Sequence, residues 1–354
     1  MTEMKNINIK IDKRKVGNNY KPFIIAELGQ SHGGKIKKIF RSIDLISKTG
    51  VDAIKFQTHI ADQESTLDEP FRSNTNLKLN YKTRYDYWKS VEFSLDEWRK
   101  IKKYVEKKKL IFLTSVFSVK AVQMMKKIGV KTLKIGSGEF NSLDIIEEII
   151  KSKLTIILST GMSNQKEIDE MYRYLKRKKA SFAFFQCTSN YPVKLKKVGI
   201  NLIDEFKERY HCPIGLSDHS GTIYPSIFAM SLNSNLIEVH VKVSKNDNGP
   251  DSSSSIQIKD LKTICDINKA IYIMRNNPVN KSNIGTDLKK MRKIFGKSVS
   301  LRHDLDKGNK ILKENILMKK PAYGFSYKEI NKLVGKRVKR FVSRKKILRE
   351  GDIL

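Results

Sequence analysis

The chain has 354 residues, 39 % hydrophobic and 9 % aromatic, enough to bury a sizeable core and too apolar for a disordered chain. A formal net charge of +33 raises nucleic acid as a partner. However, lysine clusters such as KKYVEKKKL and YLKRKKA have the helical periodicity of solvated faces, and no zinc-finger spacing or aromatic RNA-binding signature occurs, so the excess reads as surface composition that favours acidic substrates.

A charged, irregular N-terminal extension without a signal-peptide pattern leads into FIIAELG (23–29), an apolar run too short to span a bilayer. Seven further runs follow: VDAIKFQT (51–58), LIFLTSVF (110–117), TLKIGSG (132–138), TIILSTG (155–161), SFAFFQCTS (181–189), PIGLSDHS (213–220) and LIEVHV (236–241). Helical segments separate them. In KIFRSIDLISKTG (38–50) Ile39, Ile43 and Ile46 share a face, and SLDEWRKIKKYVEK (94–107) opens with a capping box from Ser94 to Glu97. Eight strands each followed by a helix predict an α/β fold, a parallel (β/α)8 TIM barrel over residues 1–278, with a doubly wound open sheet as the fallback. Residues 279–297 are polar and read as a linker. Residues 298–354 change grammar, with short β-like runs, turn glycines and a twice-used element (DLDKGNKI and VSRKKILREGDI), which predicts a small β-rich domain. Cys187, Cys212 and Cys265 have no metal-binding spacing and suit reduced thiols, so a cytoplasmic protein is expected, with no membrane partner.

In such a barrel the chemistry sits where the strands end. Those ends carry Glu27 with Ser31 and His32; Lys55 and Gln57; Thr114 and Ser115; Lys134, Ser137 and Glu139; Ser159 and Thr160; Thr188, Ser189 and Tyr191; Ser217, Asp218 and His219; and Glu238 and His240. Two lysines inside apolar strands are hard to explain as packing, because an unpaired buried ammonium is expensive. Surrounded by hydroxyls, they make a cradle for a phosphate and a carboxylate. His219 and His240 are either hydrogen-bonded core residues or two ligands of one divalent ion. Glu27 and Glu139 either act on the substrate or neutralise the lysines.

The motifs IIAELGQSHGG, DAIKFQTHIADQEST, KIGSGE, ILSTGM, CTSNYP, IGLSDHS and KKPAYGFS, in this order, make the chain resemble the sialic acid synthase family. The resemblance implies a synthase that joins phosphoenolpyruvate to an N-acylated hexosamine, and it gives the tail as an antifreeze-like (SAF) domain in a domain-swapped homodimer. It implies that His219 and His240 hold a divalent ion, manganese by preference, with magnesium or cobalt as alternatives. Lys55, Ser115, Lys134, Ser137, Ser159, Ser189 and Ser217 match the phosphoenolpyruvate cradle, and Glu27, Gln57, Glu139, Tyr191 and Asp251 the positions facing the sugar or the reacting carbon. In the implied mechanism the metal polarises the sugar aldehyde, C3 of phosphoenolpyruvate attacks it, Glu139 and Glu27 manage charge and protons, and water adds before phosphate leaves. The first loop departs from the family's NHNG, reading SHGG, and the third strand reads TSVF for STPF, which keeps a hydroxyl at Ser115. Lys320 stands where the family has an arginine that reaches the N-acyl group, and lysine cannot reproduce a guanidinium fork. The segment 74–88 is expected over the active site. The acceptor is N-acetylmannosamine or a diamino-hexose on this reading. The alternatives are another phosphoenolpyruvate-dependent sugar acid synthase, or an inactive basic binding protein for glycan or nucleic acid.

Overall fold

Alternation inside the strands explains the architecture. The computed structural model describes residues 7–71, 81–244, 249–282 and 285–354. Each of the eight apolar runs forms a strand: β1 (Phe23–Glu27), β2 (Ala53–Thr58), β3 (Ile111–Val116), β4 (Thr132–Ile135), β5 (Thr155–Ser159), β6 (Phe182–Cys187), β7 (Ile214–Asp218) and β8 (Leu236–Lys242). Neighbours are parallel, and β8 pairs with both β7 and β1, placing Leu236 opposite Gly215 and Phe23, so the sheet closes into a (β/α)8 barrel. Both faces of such strands are covered, which is why the runs read as continuous apolar stretches.

Successive residues still point to opposite faces. Ile24, Ala26, Ile54 and Phe56 face the helices, joining Ile39, Ile43 and Ile46 of α1 (Ile36–Ile46) and Trp98, Ile101 and Val105 of the capped helix Leu95–Lys107. Phe23, Ile25, Ala53, Leu113, Ile157, Ala183, Phe185 and Leu236 form the separate inner core. Two residues further along the same inward rows come Glu27, Lys55, Ser115, Ser159, Cys187 and Glu238. The barrel interior is thus apolar below and charged above.

The described part of the N-terminal extension is not irregular. Asn8–Ile11 and Arg14–Gly17 pair as an antiparallel hairpin, and Ile9, Ile11 and Val16 pack into the inner core beneath the strand starts. The Thr155 hydroxyl at the start of β5 donates to the Lys10 carbonyl at 3.0 Å. The hairpin plugs the end of the barrel opposite the charged layer.

The chain divides into two units at Asn276/Asn277, close to the expected boundary. The linker reading of 279–297 needs correction, because Thr286–Phe295 is a helix that belongs to the second unit. Its Leu288, Met291 and Phe295 have helical spacing but are exposed, so the segment's polar composition masked the period. In that unit Ser298–Leu301 pairs antiparallel with Ile316–Lys319, and the two copies of the repeated element meet through reciprocal Leu305–Val342 backbone hydrogen bonds of 3.0 and 2.9 Å. Its core is Val299, Leu301, Leu305, Ile311, Ile316, Leu333, Val338, Val342 and Leu348. Regular strand is thinner than expected: among the described residues of this unit there is one two-stranded sheet with isolated bridges.

Candidate active site

The register of the sheet brings the charged layer together. Glu27 lies opposite Lys55, Gln57 opposite Ser115, Ser115 opposite Lys134, Ser217 opposite Glu238, and His240 opposite Glu27. Lys55 Nζ is 2.7 Å from Glu27 Oε2 and 3.6 Å from Glu238 Oε1, and it donates to Ser115 Oγ at 2.9 Å. Lys134 Nζ is 3.2 Å from Glu238 Oε1, which also accepts from Ser217 Oγ at 3.0 Å. Two ammoniums and two carboxylates therefore share one nearly dry layer.

Their proton affinities follow from that arrangement. Burial pulls the Lys55 ammonium down, but Glu238 and Glu27 more than reverse it, holding its pKa above the usual lysine value. At Lys134 burial wins over Glu238, and the pKa lies below that value. Glu238 is raised by burial but lowered further by Lys134 and Lys55, to about 2. Asp218, buried beside the mouth, is pushed up to about 6 even though Ser220 bonds to it.

Above this layer opens a cavity of ≈ 690 Å³. Lys55, Gln57, Ser115, Lys134, Ser137 and Glu139 line it from the first half of the barrel. Ser159, Ser189, Tyr191, Ser217, His219, His240 and Asp251 line it from the second. Ser159 Oγ and Ser189 Oγ are buried without a hydrogen-bond partner, and Ser137 Oγ accepts from the Gly161 amide at 3.1 Å and touches Cys187 Sγ at 3.0 Å. Glu139 Oε2 accepts from Ser142 Oγ at 2.7 Å.

One expected residue does not line the cavity. Glu27 is 0 % exposed and sits behind Lys55 and Gln57, accepting from Gln57 Nε2 and the Gly29 amide at 3.0 Å each. It meets the substrate-facing groups only through them. Lys320 belongs to the second unit, where Nζ lies 5.3 Å above the Phe295 ring. Of the segment 74–88, residues 74–80 lie outside the described residues, while Arg84 and Trp88 line the cavity. Glu238 was visible as a strand-end carboxylate but had no assigned role. The signal was there, since a glutamate inside LIEVHV needs a buried cation as much as a lysine inside an apolar strand needs an anion.

The two histidines do converge. Their ring centroids are 5.2 Å apart. His219 Nδ1 is 3.2 Å from the Thr188 carbonyl and therefore carries the proton, leaving the Nε2 lone pair facing Tyr191 OH at 3.3 Å. Burial and then His240 hold the His219 pKa down at about 3, so the ring is neutral. His240 Nδ1 is buried without a hydrogen bond, 3.6 Å from Asp251 Oδ2. Two converging imidazoles, each with an unused nitrogen, fit a divalent ion whose other positions stay open. Among the described residues no cluster of three or more His, Cys, Asp or Glu forms a closed metal cage.

The hydroxyl cradle is tight at Gly161. A Cβ there would lie 2.4 Å from Cys187 Sγ, 2.6 Å from Ser189 Oγ and 2.9 Å from Ser137 Oγ. Gly161→Ala is expected to destabilise by about 1–3 kcal/mol, as overpacking does, and to weaken phosphate binding at least ~10-fold. Calorimetric titration with inorganic phosphate reads the second effect, and unchanged affinity would remove these hydroxyls from the anion site.

A model of the NeuB family matches residues 42–279 of the chain. The N,N'-diacetyllegionaminic acid synthase of Campylobacter jejuni is 28 % identical over 336 residues, covering 93 % of this chain and 99 % of that protein. The human N-acetylneuraminate-9-phosphate synthase is 28 % identical over 331 residues, 92 % of this chain and 90 % of that one. Among solved structures, the N-acetylneuraminic acid (sialic acid) synthetase of Leptospira borgpetersenii in complex with citrate aligns with a TM-score of 0.69 at 28 % identity, covering 81 % of this chain and 95 % of that one. Among the described residues no helix is long and apolar enough to cross a membrane.

Proposed function

The chain belongs to the NeuB family, and from that membership we propose that it condenses phosphoenolpyruvate with an N-acylated hexosamine to a sialic-acid-type 2-keto sugar acid, releasing phosphate. One observation carries the reading: two buried lysines under a ring of serine hydroxyls, beside a pair of converging imidazoles, at the mouth of one barrel. The ammoniums of Lys55 and Lys134 take the phosphate and carboxylate of phosphoenolpyruvate, competing with Glu238 for them. The unpartnered hydroxyls of Ser159 and Ser189 donate to the same anion, alongside Ser115, Ser137 and Ser217. This pins C3 facing the open-chain aldehyde.

A divalent ion held by His219 and His240, manganese by preference, would supply Lewis-acid polarisation of the aldehyde oxygen. C3 of phosphoenolpyruvate bonds to the aldehyde carbon as its C=O opens to a hydroxyl that takes up a proton. Positive charge grows at C2, water adds there with loss of a proton, and the C2–O bond to phosphate breaks as the ketone forms. Glu139, on the cavity wall with one oxygen uncommitted to Ser142, faces the developing charge and moves the proton of the incoming water. Glu27 acts from behind, setting the charge and position of Lys55 and Gln57. Tyr191 and Asp251 flank the imidazoles on the side left for the sugar. The acceptor is N-acetylmannosamine or a diacetamido-hexose, and the reading includes a homodimer, which sedimentation tests directly.

The test is phosphate release from phosphoenolpyruvate with manganese, over N-acetylmannosamine, its 6-phosphate, diacetamido-hexoses and simple aldose phosphates. Release is expected with an N-acyl amino sugar, stopped by chelation and lost at least ~10³-fold in His219→Ala and His240→Ala. Release with aldose phosphates alone would move the protein to another class of phosphoenolpyruvate-dependent synthase. No release with any acceptor, from folded protein, would overturn the proposal.

A further inference from the structure

Gln57 lines the cavity, and both ends of its amide are committed. Nε2 donates to Glu27 Oε1 at 3.0 Å, while Oε1 lies 3.0 Å from Gln30 Nε2 and 3.3 Å from His59 Nε2. The amide cannot be turned over. Glu27 is ion-paired with Lys55, so its carboxylate only accepts, and an amide oxygen in front of it would set two acceptors together. The oxygen of Gln57 therefore faces His59, and His59 Nε2 must carry a proton to meet it.

The other nitrogen of that ring has the same requirement. His59 Nδ1 lies 3.0 and 3.1 Å from the two oxygens of Glu64, a second acceptor. A neutral imidazole has one N–H, and two acceptors ask for two. We infer that His59 is held as an imidazolium and serves as a positioning residue, locking the Gln57 amide and through it the Glu27–Lys55 pair for the reaction proposed above.

The surroundings suit a cation. The ring is sandwiched between Trp88, 3.6 Å away at 8°, and Phe117, 4.2 Å away at 11°, and ring faces attract positive charge. Among the described residues, Glu64 bonds to the ring, Glu27 is reached through Gln57, His32 is coupled to it by charge, and Arg84 shares its cavity wall. Burial and then the charge of His59 hold His32 at about 4, so His32 adds no second cation there. The result is a chain from Glu64 through His59, Gln57 and Glu27 to Lys55, each link a hydrogen bond or ion pair, running from a surface helix turn into the barrel.

Two measurements test this. The first is independent of turnover: nitrogen-detected NMR of the full chain labelled at histidine, with the His59 ring assigned by its contact to the Trp88 ring. Both ring nitrogens are expected to be protonated at neutral pH. A single-N–H neutral tautomer would overturn the inference even if the synthase reading stands, and two protonated nitrogens would support it even if that reading fails. The second is a double-mutant cycle in kcat/KM. Phenylalanine keeps the aromatic stack but removes both donors, so His59→Phe is expected to cost on the order of 10²-fold through misplacement of Gln57. In a Gln57→Ala background the same change should cost less than about threefold, because its route is already cut. Fully additive losses would overturn the positioning role.

Discussion

Glu238→Gln is expected to destabilise the barrel by about 3–5 kcal/mol, and inorganic phosphate is expected to restore a large part of that loss. The carboxylate is 2 % exposed and bridges Lys134 at 3.2 Å and Lys55 at 3.6 Å, with Ser217 holding it in place. Glutamine keeps the shape and the Ser217 bond but removes the charge, leaving two buried ammoniums against Glu27 alone. Lys134 already has its pKa lowered by burial, with Glu238 the largest opposing influence, and without that carboxylate the pKa falls further. A lysine whose folded pKa is depressed costs stability below that pKa and ceases to do so as pH rises past the ordinary lysine value of about 10.4. The deficit of the variant should therefore shrink on the alkaline side. A bound anion replaces the lost charge, and at a concentration of 100 times its Kd adds about 2.7 kcal/mol. Urea denaturation with and without phosphate reads both effects. Stability within ~0.5 kcal/mol of the parent would show that the lysines are neutralised by something other than Glu238.

The same cluster shows how much of the molecule was legible in advance. The eight strands were plain because both their faces are covered, which leaves continuous apolar stretches such as 156–158 and 182–185 inside them. Most site residues were plain for the converse reason: a lysine or serine interrupting such a run at its C-terminal end has few places to point other than the mouth. The hairpin was not, because only Ile9, Ile11 and Val16 of its strands bury a side chain while charged residues stand among them. The helix Thr286–Phe295 escaped because it buries nothing, so its apolar residues looked scattered in a polar stretch. Glu27 lay in the expected strand, yet its place behind Lys55 depends on the register between β1 and β2. The role of His59 was hidden for a similar reason: its meaning lies in acceptors on both ring nitrogens, and a hydrogen-bond count needs the partners' atoms.

The two lysines, alike in sequence, should part company on mutation. Lys134→Met leaves Glu238 with Lys55 and Ser217, and the methionine can lie against the Phe185 ring that Lys134 Nζ now faces at 5.2 Å. The fold is expected to survive with a loss below about 1.5 kcal/mol, as for a tolerated core exchange. Lys55→Met also strips Glu27 of its cation at 2.7 Å, and that carboxylate has no access to water, so this variant should lose about 3–5 kcal/mol. Lys134→Met is thus the clean probe of the anion site, expected to weaken phosphoenolpyruvate by roughly 10- to 150-fold, the equivalent of one charge-assisted hydrogen bond of about 1.5–3 kcal/mol. The pH dependence separates the two further. The anion binds the protonated amine, and Lys134 loses its proton at a lower pH than an ordinary lysine, whereas Lys55 keeps its proton to a higher one. Affinity for phosphoenolpyruvate in the parent should fall as pH rises through the depressed Lys134 value, with proton uptake on binding in that range, and in Lys134→Met this limb should vanish. Titration calorimetry in buffers of different ionisation enthalpy measures the uptake directly. A limb that persists unchanged in Lys134→Met would transfer the titrating group to another residue and leave Lys134 a structural partner of Glu238.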